Sequence, residues 1–124
     1  MSVVGLGTDI VEIERIGEGD ALTRLAKRVL TEKELSVFYT HTMPARYFAK
    51  RFAAKEAAVK ALGTGIGRGI SWQHIEISND QLGKPEIHFS LGALDKANEL
   101  GATHAAISIA DEQHYAVATV ILSR

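Results

Sequence analysis

Apolar and polar positions change their period several times along this 124-residue chain, and each change marks an element. Residues 2–10 are mostly apolar side chains and glycine, which predicts a first strand with Asp9 at its end. Over 21–30 the period becomes helical, with Leu22, Leu25, Ala26 and Val29 inward and Arg24, Lys27 and Arg28 outward. Thr31-Glu32-Lys33-Glu34 has the spacing of a capping box, so a short helix through Tyr39 follows. Pro44 suits the first turn of a long helix ending near Leu62, with Thr42 or Met43 as its cap and Gly63 in the left-handed closing position. Beyond a glycine-rich turn, residues 72–77 alternate as a strand does. Residues 79–85 read as a hairpin turn, and 85–89 as the returning strand. A helix over 91–100 is capped by Ser90 and stopped by Gly101. Residues 104–109 and 115–122 form two apolar, β-branched strands around the polar turn 111–114. Strands adjacent in sequence pair antiparallel, so the pattern predicts one α+β domain.

Bulk properties narrow the class. This length suits one ordinary core, and 46% hydrophobic with 23% charged residues is typical of a folded domain. No apolar run approaches 18 residues, and the N-terminus has no secretory pattern, so the expectation is a cytoplasmic protein with no membrane span. Zero cysteines exclude disulfides, thiolate catalysis and cysteine zinc sites. Charge is unevenly spread: residues 44–68 hold six basic groups against Glu56 alone, whereas the segments on either side are net acidic. Such a concentration fits an anion site, although an ordinary solvated helix face explains it equally well. A net charge of −1 and 6% aromatics argue against a nucleic-acid binder.

The chemistry concentrates in two motifs. In Gly5-Leu6-Gly7-Thr8-Asp9-Ile10-Val11-Glu12-Ile13-Glu14-Arg15-Ile16 an acid closes an apolar run. It is either a turn acid bonded to nearby backbone or a ligand for a cation that offsets its desolvation. In the stretch from Arg51 through Lys55, Glu56 and Lys60 to Gly67, charges recur at helical spacing. Glu56 either pairs with Lys60 along the helix or joins Asp9 on a hard cation such as Mg²⁺. The turn Gly63-Thr64-Gly65-Ile66-Gly67 has neither dinucleotide nor Walker A spacing. It is a helix end or a place where backbone approaches a ligand closely. The five histidines show no metal-binding spacing, and no serine has a nucleophile-elbow context. Arg15, Arg24 and Arg28 are either solubilising charge or a grip for an acidic protein.

Taken in order, these two motifs and the closing Tyr115-Ala116-Val117-Ala118-Thr119-Val120-Ile121-Leu122 run resemble the 4′-phosphopantetheinyl transferases. The small size and near-terminal Asp9 point to the branch that acts on acyl carrier protein. The resemblance spans essentially residues 1–124 as one such domain, and implies a mostly antiparallel sheet packed against a long helix. It implies Mg²⁺-dependent transfer of phosphopantetheine from coenzyme A to a serine of apo-acyl carrier protein, releasing adenosine 3′,5′-bisphosphate, in support of fatty acid biosynthesis. Asp9 and Glu56 would hold the metal, and Lys60 would stabilise charge on the phosphates. Glu56 or a metal-bound water would take the serine proton. Arg51, Lys60, Gly63, Thr64 and Gly65 would hold coenzyme A, while Arg15, Arg24 and Arg28 would dock the carrier. A homotrimer with sites at subunit interfaces is also implied. One departure stands out: relatives carry a histidine shortly before the last strand where this chain has Asp111. Two other readings remain open, a binding module without turnover and a Mg²⁺-dependent pyrophosphate hydrolase.

Overall fold

The computed structural model describes residues 2–124. A strand β1 (Val3–Glu12) leads through a 3₁₀ turn into helices α1 (Gly19–Val29), α2 (Glu32–Thr40) and α3 (Pro44–Leu62). A hairpin of β2 (Ile75–Asn79) and β3 (Pro85–Phe89) follows, then α4 (Leu91–Glu99), β4 (His104–Asp111) and β5 (Tyr115–Ser123). The strands make two antiparallel sheets, one of order β1-β5-β4 and one of β2 and β3 alone. The α+β class holds, with the antiparallel strands divided between two sheets.

Helix α3 packs across one face of the three-stranded sheet, and small residues make that possible. Ala53, Ala54, Ala57, Ala58 and Ala61 are all buried along it. On β1, a Cβ at Gly5 or Gly7 would run into the carbonyl oxygens of Ala61 and Ala57. Rising numbers on β1 therefore meet falling numbers on α3. Because side chains alternate on a strand, Asp9 continues the face of Gly5 and Gly7 and reaches the preceding turn of the helix. A second core, around Phe48, Tyr47, Leu22, Leu30 and Phe38, joins α1 and α2 to the first half of α3.

Local chemistry follows the sequence closely at helix ends. The Thr31–Glu34 capping box is present in both directions, Pro44 opens α3, and Gly63 closes it with φ 78°. Two strand bounds differ from expectation, and two expected cap residues hold their positions without a capping bond. Strand β1 runs on to Glu12 because Val11 and Glu12 stay paired with Ala116 and Tyr115, so Asp9 lies inside the strand rather than at its end. Residues Trp72–His74 form a 3₁₀ turn, with His74 Nδ1 accepting the Ser71 N–H, and the strand starts only at Ile75. Met43 holds the N-cap position of α3 without a side-chain bond. Ser90 likewise holds the N-cap position of α4, but its hydroxyl donates to the His74 carbonyl at 3.4 Å rather than accepting from the helix.

Among the described residues, nothing packs as a layer on the opposite face of the three-stranded sheet. Leu6, Thr8 and Ile10 of β1 lie opposite Ile121, Thr119 and Val117 of β5, which in turn lie opposite Ala106, Ser108 and Ala110 of β4. Leu6 is 64% exposed and Ile10 61%. No helix among the described residues is long and apolar enough to cross a membrane.

Candidate active site

Strand β1 and helix α3 bring Asp9, Glu56 and Lys60 together. The Lys60 ammonium donates to Asp9 Oδ1 at 3.0 Å and to the Thr8 carbonyl at 2.9 Å. Lys60 and Glu56 are one helical turn apart and share a side of α3. Burial, and then the nearby Asp9 carboxylate, push the Glu56 pKa up, and Lys60 only partly opposes them. Two carboxylates thus face one ammonium, a surplus of negative charge at a partly buried place. The site fits a divalent cation, which would relieve that surplus. Among the described residues no group of three or more His, Asp or Glu side chains is arranged to hold a metal. Two acids alone suit an ion that completes its shell with water and phosphate oxygens, the habit of Mg²⁺.

Arg51 and Lys55 point elsewhere. At about 100° per residue, the nine positions between Arg51 and Lys60 put them on opposite sides of α3. Lys55, counted in the sequence among the cations of one anion-binding segment, is fully buried. It donates to Glu34 Oε1 (2.7 Å), the Val29 carbonyl (2.9 Å) and the Trp72 carbonyl (3.1 Å). Glu34 also accepts the backbone N–H groups of Thr31 and Ile77. This pair is an internal brace that ties α1, α2 and β2 to α3, and no ligand can reach it.

Arg51 is only 7% exposed. Its guanidinium lies 4.7 Å from the centre of the Tyr47 ring and donates to Asn79 Oδ1 at 2.7 Å, while its Nε has no partner. It lines a cavity of about 520 Å³ together with Arg46, Tyr47, Lys50 and Asn79. The glycine turn lines a different cavity, of about 780 Å³, with Asp95, Lys96 and Glu99 of α4. Within one chain, then, Arg51 and the Gly63–Thr64–Gly65 segment do not converge. Most of the turn's glycine content has a backbone reason: Gly63, Gly67 and Gly69 have φ of 78°, 113° and 88°. Gly65 has neither a positive φ nor a crowded Cβ position, which leaves it free for close approach by a ligand.

The other candidates lie on the surface. Arg15 sits in the 3₁₀ turn after β1, and Arg24 and Arg28 lie one turn apart on α1. All three are exposed and make no ion pair among the described residues. Asp111, which stands in place of the expected histidine, is bound by Arg46 at 2.9 Å and Lys50 at 3.5 Å. Partial burial works against its ionisation, but these cations outweigh it and hold the carboxyl below the usual range. Sequence reasoning counted Arg46 and Lys50 only within the basic segment, and did not single out Tyr47 or Asn79 as site residues. The four-residue spacing of Arg46 with Lys50, and of Tyr47 with Arg51, was an available signal; Asn79 left none.

With this geometry in place, comparison with known proteins is decisive. The model of the 4′-phosphopantetheinyl transferase superfamily matches residues 5–120, which include Asp9, Arg51, Glu56 and Lys60. The chain belongs to that superfamily. Among phosphopantetheinyl transferases, it is 64% identical over 123 residues to the holo-[acyl-carrier-protein] synthase of Alteromonas mediterranea, with 98% of each chain covered. The solved holo-[acyl-carrier-protein] synthase of Neisseria meningitidis is 41% identical, with a TM-score of 0.86 over 99% of this chain and 100% of that one. The Bacillus anthracis enzyme, solved in complex with coenzyme A (3′,5′-ADP), is 38% identical, with a TM-score of 0.80 over 97% and 96% of the two chains.

Proposed function

We infer that this chain, acting over residues 1–124 as one phosphopantetheinyl transferase domain, is a holo-[acyl-carrier-protein] synthase. It moves 4′-phosphopantetheine from coenzyme A to a serine of apo-acyl carrier protein and supplies fatty acid biosynthesis in the cytoplasm. The observation that carries this reading is the convergence of Asp9, Glu56 and Lys60 from two distant segments into one partly buried, negatively unbalanced site. Asp9 and Glu56 would hold Mg²⁺, which when bound neutralises the coenzyme A pyrophosphate and makes its phosphorus easier to attack.

The chain's own residues do the rest. The carrier serine oxygen attacks the phosphorus on the pantetheine side, the bond to the bridging oxygen breaks, and adenosine 3′,5′-bisphosphate leaves. Glu56, beside Lys60 and Asp9, accepts the serine proton. The Lys60 ammonium is half-exposed and held only by Asp9 and a backbone carbonyl, so it can turn to the phosphate that gains charge. Arg51, at the wall of its cavity, would meet the nucleotide end, and the backbone of Gly63, Thr64 and Gly65 offers a second surface. Arg15, Arg24 and Arg28 meet the acidic carrier.

A homotrimer is supported by two features. The bare sheet face presents Leu6, Ile10 and Ile121 to solvent, an apolar surface that a second copy would cover. The Arg51 cavity and the Asp9–Glu56–Lys60 group lie on opposite sides of α3, so a coenzyme A molecule touching both fits best between two copies. The test is intact-mass analysis of apo-acyl carrier protein incubated with this chain, coenzyme A and Mg²⁺, with and without EDTA. One phosphopantetheine gained, and lost with EDTA, is the expected result. An unmodified carrier with free phosphopantetheine in solution would make the chain a hydrolase instead. An unmodified carrier with intact coenzyme A bound to the chain would make it a binding module.

A further inference from the structure

Asp111 is the last residue of β4 and lies opposite Ala116, so its side chain shares the sheet face that packs on α3. The first two turns of that helix aim two cations at it. Arg46 Nη1 donates to Asp111 Oδ2 at 2.9 Å and to the Glu112 carbonyl at 2.6 Å, while Nη2 donates to the Gln113 carbonyl at 2.8 Å. Arg46 is thereby committed to the 111–113 turn by three bonds, two of which do not involve Asp111. Lys50 is held differently. Asp111 Oδ1, at 3.5 Å, is its only charged partner among the described residues, and it makes no hydrogen bond shorter than that. Its ammonium therefore keeps donors for another acceptor.

The surroundings say what that acceptor would be. Lys50, Arg46 and Lys33 line the same cavity as Arg51. The two other acids at the cavity wall are engaged: Glu34 by Lys55, and Glu76 by the Thr31 hydroxyl at 2.7 Å. What remains is a cavity with a surplus of cationic donors, suited to a phosphate group. We propose that Asp111, itself pinned by Arg46, positions the Lys50 ammonium at the wall of the Arg51 cavity, so that Lys50 supplies a second cation to the phosphate end of the nucleotide bound there. Asp111 is a positioning residue, and Lys50 the binding residue it serves. The inference rests on the reading that this cavity takes the nucleotide end of coenzyme A.

Sign separates this from a simple electrostatic effect. An acid that merely sits near a phosphate repels it, so removing the acid would tighten binding. An acid that anchors a mobile cation at the cavity wall weakens binding when it is lost. Steady-state transfer and calorimetric titration with coenzyme A would be measured for Asp111→Asn, Lys50→Ala and the double variant. Asp111→Asn keeps the turn's bonds to Arg46 and drops only the charge. It is expected to raise the KM and Kd for coenzyme A about tenfold, the scale of one charge-assisted bond. The kcat should change by less than about twofold, and the KM for the carrier should not move, because Asp111 does not touch the reacting atoms. The double variant should bind no more weakly than Lys50→Ala alone. Tighter or unchanged binding in Asp111→Asn, or full additivity with Lys50→Ala, would overturn the proposal. Arg51→Ala tests the underlying reading separately: coenzyme A binding unaffected by that change places the nucleotide elsewhere and removes both.

Discussion

Lys55 and Glu56 are neighbours on the same helix, and they sit in opposite electrostatic worlds. Lys55 is 0% exposed, faces a single carboxylate, and has three acceptors within 3.1 Å. Glu56 is partly buried, shares its surroundings with a second carboxylate, and sees one ammonium that is half in solvent. The first cluster is paired and closed, although burial still holds the Lys55 pKa below its usual value against the pull of Glu34; the second has more acid than base and is open. The difference separates a structural ion pair from a site. A buried charge with a partner and hydrogen bonds on every side holds elements in place, because leaving it unpaired costs several kcal/mol. An incompletely compensated group near the surface stores a demand for a ligand, here a divalent cation and phosphate oxygens.

Breaking the open cluster should have the largest effect. Glu56→Ala and Asp9→Ala are each expected to lower carrier modification by about 10³-fold while the protein stays folded, since each removes charge stabilisation at the reacting phosphate. Turnover assayed by carrier mass, beside circular dichroism, checks both. Breaking the closed cluster should do the reverse. Lys55→Met leaves Glu34 charged and buried, and is expected to destabilise the fold by about 3–5 kcal/mol in urea unfolding. The kcat of the fraction that remains folded should stay near the parent value.

Proton linkage sharpens the contrast. Burial, then Asp9, raise the Glu56 pKa above its unfolded value. The stability linked to its proton is therefore present at acid pH and lost as pH rises through the raised value. Turnover has the opposite dependence, because only ionised Glu56 can hold a cation or accept a proton. At subsaturating Mg²⁺, where the free site must first ionise, activity should climb with pH across the interval just above the ordinary glutamate range, and Glu56→Gln should remove that limb from the stability profile. Smallest are the surface cations. Arg24→Ala and Arg28→Ala should each raise the KM for the carrier a few-fold at low salt, and the effect should fade as salt screens it.

Much of this was legible in sequence, for identifiable reasons. The capping box, Pro44 and Gly63 fixed the helix ends because each solves a local hydrogen-bonding or steric problem that its neighbours cannot alter. The residues left Asp9 and Glu56 either with ordinary local partners or together on one cation, and the family resemblance chose the second. Gly5 and Gly7 were the physical clue that went unused: two glycines on one strand face announce a close helix, and Asp9 continues that face. The roles of Lys55 and Asp111 were hidden because both depend on partners in distant segments, Glu34 in one case and the first turns of α3 in the other. Residues 72–74 alternated like a strand, yet they turn because His74 closes on the Ser71 backbone.

The most direct test of the open-cluster account is thermal unfolding of the parent chain and of Glu56→Gln at neutral pH, each alone and with coenzyme A plus Mg²⁺. The account predicts that Glu56→Gln starts higher, because a buried charge facing Asp9 is gone. It also predicts that only the parent gains a further Mg²⁺-dependent rise with coenzyme A. A variant that starts lower than the parent, or that gains as much from Mg²⁺ and coenzyme A, would contradict the claim that unbalanced charge at Glu56 is what the metal and phosphate relieve.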